Sequence, residues 1–185
     1  MALQLPRHKF TADEYEHLGV SGIFNEDDRV ELLDGDIVEM SPLGPRHVRC
    51  VNRLNMLLAP RLVGQAIVQV QSSLKLEVHW EPQPDMAVLR LREDDYVSGL
   101  PTGADVLLLI EVVDSSREYD RAKLPAYARS GIPEVWLVDL QDQVLLSHRQ
   151  PVGAEYRLLQ ALRIGDSVSP QALPEHTFSV DSILG

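Results

Sequence analysis

Cysteine is nearly missing from this chain: Cys50 stands alone among 185 residues. That excludes an internal disulfide and a zinc site of the usual multi-cysteine kind, and makes a reducing cytoplasm the expected setting. Long apolar runs are missing too. The N-terminal MALQLPRHKF lacks the apolar core of a secretory signal, and no stretch approaches the roughly 20 apolar residues of a bilayer span. A soluble protein with no membrane partner is expected. Aromatic residues make up 5% of the chain. Trp80, Tyr127 and Trp136 lack the repeated pattern of a single-strand binder and read as packing residues. No Gly-rich phosphate loop, G-x-S-x-G elbow or H-E-x-x-H helix occurs. Nor is there a repeat, a low-complexity segment or a linker.

Positive charge is also in short supply. The formal net charge is -11 and the pI near 4.9, so the averaged field repels phosphate and excludes a protein that coats nucleic acid non-specifically. One region departs from this average. From Leu43 to Lys75 there is no Asp or Glu, while Arg46, Arg49, Arg53, Arg61 and Lys75 all fall there.

What is present is enough apolar material, 44% of the residues, to bury the core of one domain spanning 1–185. Thr11 with Glu14 forms a capping box that predicts a short helix ending near Gly19. Asp34-Gly35 between two apolar runs predicts a hairpin and places Glu31 on a strand. Val48, Val51, Leu54, Leu58 and Leu62 recur at helical spacing between Pro45 and Gly64, predicting a helix over 45–64 with Cys50 in its core face and Arg46, Arg49 and Arg53 on another. AIVQVQ and SLKLEVH alternate as half-buried strands, and DMAVLRL opens a third at Asp85 after the proline-rich EPQP. Val106 to Val113 reads as a central strand covered on both faces. Ser115 with Glu118 predicts a helix over 116–130, kinked or split at Pro125. EVWLVDL is a further buried strand, and short strands with a terminal turn complete the chain. The expected fold is α/β, a mixed central β-sheet flanked by the 45–64 and 116–130 helices, with the Asp34-Gly35 hairpin entering the same sheet.

Within the central strand one residue is out of place. Glu111 interrupts an otherwise apolar run, and an ionised carboxylate buried without a partner costs several kcal/mol or more. It must be paired, protonated, ligating a metal, or reaching solvent from the strand end. Alternation puts Leu107, Leu109, Glu111 and Val113 on one face. Asp85, read alone, is a turn residue. Read with Glu111 on a neighbouring strand, it makes the oxygen-rich site that Mg²⁺ prefers, completed by water and phosphate.

Pro84-Asp85, the Glu111 to Val113 triplet EVV and a nearby lysine resemble the PD-(D/E)XK nuclease superfamily. FTADEYEHL, RVELLDGDIVEMSP, HVRCVNRL, PDMAVL, LLLIEVVDSS and YDRAKLPAYARSGIPEVWLVD, in that order between Phe10 and Asp139, are similar to its Uma-type restriction endonuclease family, formerly a domain of unknown function. The resemblance implies a restriction-endonuclease-like core with extra C-terminal strands, and metal-dependent hydrolysis of DNA phosphodiester bonds. It implies Mg²⁺, with Mn²⁺ as a substitute, held by Asp85, Glu111 and the Val112 carbonyl. Lys123, followed four residues on by Tyr127, looks like the relocated catalytic lysine of this branch, and Glu31 a further acidic contributor. It further suggests His47 as a phosphate contact or proton shuttle, Arg46, Arg49 and Arg53 as contacts to duplex DNA, and a homodimer. The simpler alternatives are a helix N-terminal residue for His47 and solvated faces for the arginines, Lys123 and Glu31. Val113 stands where the plain superfamily motif has lysine. That departure, together with the acidic net charge, supports a rival reading, a nuclease-like fold without catalysis acting as a binding or scaffold protein. A metal-dependent enzyme on a small phosphoester is a third.

Overall fold

In the computed structural model, which describes residues 7–24, 28–114 and 117–185, the chain opens with helix α1 (Ala12–Val20). Its capping box is reciprocal: Thr11 accepts the Glu14 N–H, and Glu14 accepts the Thr11 N–H at 2.8 Å. Asp34 and Gly35, at φ 49° and 74°, supply the left-handed backbone of a two-residue turn joining β1 (Val30–Leu33) to β2 (Asp36–Glu39). Helix α2 (Pro45–Leu58) starts on its proline and buries His47, Cys50, Val51, Leu54 and Leu58. It stops six residues short of Gly64. Pro60 cannot donate the N–H that another turn would require, and Leu62 reaches the core from an irregular segment instead.

Strands β3 (Ile67–Val70), β4 (Met86–Leu89) and β5 (Val106–Val113) come next, followed by helix α3 (Arg117–Arg129) and strands β6 (Glu134–Asp139), β7 (Val144–Val152) and β8 (Glu155–Leu162). They form one six-stranded sheet in the order β3-β4-β5-β6-β7-β8. Each neighbouring pair is antiparallel except β5 with β6, and parallel neighbours need the crossover that α3 provides. A small pair, β9 (Ser167–Val168) with β10 (Phe178–Ser179), leads into the terminal helix α4 (Val180–Leu184). The expected mixed sheet flanked by helices is present.

One apolar cluster joins α2 and α4 to Leu108, Ile110 and Val112 of β5, and a second joins Tyr127 of α3 to Leu109 and Val113. Covered on both faces, β5 and β6 read as continuous apolar runs for this reason. Cys50 lies in the first cluster, its thiol donating to the Ile183 carbonyl, and burial pushes its pKa up to about 12. It is a packing residue, as expected.

Four expectations need correction or placement. The hairpin does not enter the main sheet. It is a separate two-stranded sheet tied on by a bridge between Leu32 and Glu81, and Pro82 and Pro84, which lack an N–H, keep that bridge from growing into a ladder. SLKLEVH is not a strand, because its N–H groups go to loop carbonyls, Leu74 to Pro82 and Lys75 to Pro101. Leu107 is not on the Glu111 face: Leu89 pairs with Val106 and Val88 with Leu108, so Leu107 is an extra residue and turns toward α2. The Ser115 cap falls outside the described residues, and α3 runs unbroken through Pro125.

The tie between the hairpin and the rest gives a test. A Cβ on Gly35 would sit 2.8 Å from Lys9 Cβ and 3.0 Å from Lys9 Cα at a φ that disfavours L residues. Gly35→Ala should therefore cost about 1–2 kcal/mol of stability, seen as a lower urea midpoint with an unchanged denaturant slope.

Candidate active site

The site forms where the β4–β5 ladder ends. Its last rung pairs Met86 with Ile110, so Asp85 and Glu111 are the next residues out. Here side chains take over from the backbone. The Asp85 N–H donates to Glu111 Oε2 at 3.3 Å, and Asp85 Oδ2 accepts the Val112 N–H at 2.8 Å. Each carboxylate is thus fixed by the main chain of the opposite strand. Gln71, just past β3, donates its N–H to the Asp85 carbonyl and its side-chain amide to Asp85 Oδ1 at 3.3 Å. From the first turn of α2, His47 Nε2 lies 2.9 Å from Asp85 Oδ2, while its Nδ1 is buried without a partner among the described residues.

Helix α3 supplies the other half. Tyr119, Lys123 and Tyr127 are spaced by four and so share one face of the helix. The Lys123 ammonium, 2% exposed, lies 3.0 Å from Glu31 Oε1 and 3.4 Å from Glu111 Oε1, with the Tyr119 ring 5.0 Å away. Tyr127 donates to Glu111 Oε1 at 2.5 Å, and Tyr119 donates to Glu31 Oε1. Glu31 is fully buried and also accepts the Gln83 N–H at 2.8 Å. The buried carboxylate of the central strand is therefore paired.

Burial is the largest influence on Glu111 and raises its pKa to about 8; Lys123 pulls it back, while Asp85 and Asp120 push it further up. For Lys123, burial alone would favour loss of the proton, but Glu111 and Glu31 outweigh it and hold the pKa above its ordinary value. Burial likewise raises the Tyr127 hydroxyl, reinforced by Glu111 and Glu31. Lysine stays charged, then, and Glu111 is the group that yields.

A cleft of about 440 Å³ opens over this cluster, with His47, Asp85, Glu111, Val112 and Lys123 in its lining together with the loop from Met40 to Gly44. The structure brings together Glu31, His47, Asp85, Glu111, Val112 and Lys123, with Glu31 behind the lining. It does not bring Arg49 and Arg53 there. They line an adjoining groove with Met56 and Asp181. Arg46 donates to the Leu140 carbonyl at 2.6 Å and lies 3.6 Å from Asp114 at the cleft edge. Val113 packs against α3 on the same face as Glu111, so the plain-motif position is apolar and the lysine comes from α3. Tyr119, Gln71 and Gln83 are absent from the sequence reading. Tyr119 had a signal in its spacing from Lys123 and Tyr127, whereas Gln83 acts through its main chain and had none.

Comparisons with known proteins agree with this fold. A family model, Uma2, described as "Putative restriction endonuclease", matches residues 12–181. A crystal structure of a "putative nuclease" of the DUF820 group from Anabaena variabilis superposes with a TM-score of 0.72 at 18% identity, covering 95% of this chain and 97% of that one. No curated protein matches.

Two outcomes test the electrostatics. A folded pKa near 8 exceeds that of unfolded glutamate, so the proton on Glu111 stabilises the fold below about pH 4.5, and that contribution is lost as pH rises toward 8. In metal-free buffer, wild type should lose stability relative to Glu111→Gln over this window, by at most about 1.4 kcal/mol per pH unit. Parallel urea-unfolding curves at each pH would show that Glu111 does not titrate there. Lys123→Met leaves Glu31 buried without its cation and should cost about 3–5 kcal/mol in the same measurement.

Proposed function

The chain belongs to the Uma2 restriction endonuclease family, and from that premise we propose that it is a metal-dependent endonuclease hydrolysing phosphodiester bonds of duplex DNA, the whole chain serving as one nuclease domain. The observation that carries the reading is the pair Asp85 and Glu111, fixed on adjoining strand ends and opening onto one cleft with Lys123 beside them.

The donor chemistry fits a hard divalent cation such as Mg²⁺, with Mn²⁺ as a substitute. Among the described residues no three His, Cys, Asp or Glu side chains are grouped to hold an ion. Mg²⁺ needs fewer, because one or two carboxylates suffice when water and phosphate oxygens complete the octahedron. The raised pKa of Glu111, caused by burial and then by Asp85 and Asp120, marks negative charge that a cation would offset. Asp85 and Glu111 would hold the ion, with the Val112 carbonyl as a third oxygen. The ion would supply Lewis acidity, neutralising charge on the phosphoryl oxygens and activating a water.

The remaining roles belong to the chain itself. Lys123, clamped by Glu31 and Glu111, is a fixed cation at the cleft where negative charge develops on the phosphate. Glu31, behind the cleft and saturated by Lys123, Tyr119 and Gln83, acts by positioning Lys123. His47 holds the Asp85 rotamer through its 2.9 Å contact. The rival scaffold reading rested on Val113 together with the acidic net charge, and a lysine 3.4 Å from Glu111 weighs against the first of these. Cutting both strands of a duplex calls for two such sites, hence the homodimer in this reading. A cytoplasmic setting suits the unpaired cysteine, and no helix among the described residues is long and apolar enough to cross a membrane.

Supercoiled plasmid incubated with the protein and Mg²⁺ or Mn²⁺ should be nicked or linearised. Glu111→Gln should slow this by about 100-fold or more while keeping its circular dichroism. Equal cleavage by the folded variant would remove Glu111 from the mechanism, and no cleavage by wild type would favour the scaffold.

A further inference from the structure

Among the cations of the cleft, one has no assigned task. Arg29 lies immediately before β1 and lines the same cleft as Asp85, Glu111 and Lys123. Its backbone is anchored, because its carbonyl accepts the Met40 N–H at 2.8 Å and closes the open end of the hairpin. Its guanidinium makes no hydrogen bond or ion pair among the described residues. The other basic groups nearby are committed. Lys123 is held by Glu31 and Glu111, Arg46 by the Leu140 carbonyl and Asp114, and His47 by Asp85. A half-buried arginine beside a cleft lined by five carboxylates, Glu39, Asp85, Glu111, Asp114 and Asp120, has ample acidic surroundings and yet forms no pair with them.

An unpaired guanidinium is a rigid fork of donors matched to the paired oxygens of a phosphate. We infer that Arg29 is a substrate-binding residue, forked onto a backbone phosphate of the DNA strand that occupies the cleft. This rests on the nuclease reading and deepens it, dividing the two cations by role. Lys123, fixed at the carboxylates, serves the reacting phosphate. Arg29, on the hairpin at the lining, grips another phosphate of the same strand and sets the strand's register.

The hairpin position supports this division. β1 carries Glu31, which holds Lys123, and Arg29 is two residues earlier on the same chain direction, so one short element fixes both cations relative to each other. Neither Arg49 nor Arg53 can serve in this place, since they line the adjoining groove.

The test is binding of a fluorescein-labelled duplex oligonucleotide, read by anisotropy across a salt series, with Ca²⁺ present as an oxygen-seeking ion that neutralises the cleft carboxylates. Arg29→Ala should bind about 10-fold more weakly or worse, and the slope of log K against log salt should fall by about one phosphate contact. Arg29→Lys should recover the slope but only part of the affinity, because it keeps the charge and loses the fork. Unchanged affinity and slope in Arg29→Ala would overturn the inference while leaving the nuclease reading intact. Loss of affinity with an unchanged slope would also overturn it, since that is the signature of an altered cleft rather than a lost phosphate contact. Failure of wild type to bind any duplex would instead count against the nuclease reading itself.

Discussion

An ammonium group sealed from water persists only where anions replace its hydration, and at Lys123 that requirement organises three separate parts of the chain. Its nitrogen lies 3.0 Å from Glu31 on the hairpin and 3.4 Å from Glu111 on the central strand, and its own stem belongs to α3. Desolvating each ion costs several kcal/mol, and the attraction repays this only when the remaining donors and acceptors are also satisfied. Here they are: Tyr119 and the Gln83 N–H reach Glu31, and Tyr127 and the Asp85 N–H reach Glu111. The hairpin meets the loop before β4 through the Leu32–Glu81 bridge, the Gly35 N–H to the His79 carbonyl and the Gln83 N–H to Glu31, and this charge cluster adds its tie to the central strand and α3. Positioning and stability are one interaction.

The sequence made the oddity of Glu111 visible because a carboxylate inside an apolar run violates burial energetics wherever the strand lies. That argument has a limit shown by Glu134. It opens an apolar run and is fully buried, but it accepts from Trp136, Ser147 and Arg149 of the sheet and from the Gln171 N–H, which fastens the C-terminal segment to it. It is not in the cleft lining. A buried carboxylate therefore marks a demand for partners, and only the partners' location distinguishes a site from a brace. Asp85 supplied that location through its place one residue beyond the last β4–β5 rung.

What the sequence hid were properties set by contacts far along the chain. Alternation assigned Leu107 to the Glu111 face, yet a single extra residue opposite β4 reverses it, and local pattern carries no record of a partner's register. Helical periodicity ran on to Leu62 because Leu62 is buried, though Pro60 had already stopped the ladder. Arg46, Arg49 and Arg53 share helical spacing and a small pocket with Leu140 and Gln143, but only Arg46 reaches a residue of the cleft, Asp114, while Arg49 and Arg53 also line the next groove. Their common face was legible, but what that face meets was not. Arg29 was invisible for a different reason: its interest lies in having no partner, which only coordinates can show.

A net charge of -11 looks like an objection to any action on DNA, but distance decides how much of it counts. At physiological ionic strength charges separated by more than about 8 Å are largely screened, so the acidic surface remote from the cleft contributes little at contact. The charges that govern entry of a phosphate are those of the lining, five carboxylates against two cations, Lys123 and Arg29. Counted at formal charge the lining is three negative, of which a proton on Glu111, whose pKa burial raises to about 8, offsets one and a divalent cation two. On the proposed reading, a cleft that repels a DNA phosphate until an ion arrives would bind DNA productively only in the loaded state. In the proposed mechanism that makes the acidity of the cleft a selection step, with Lys123 too tightly paired to attract phosphate alone and Arg29 left free to do so.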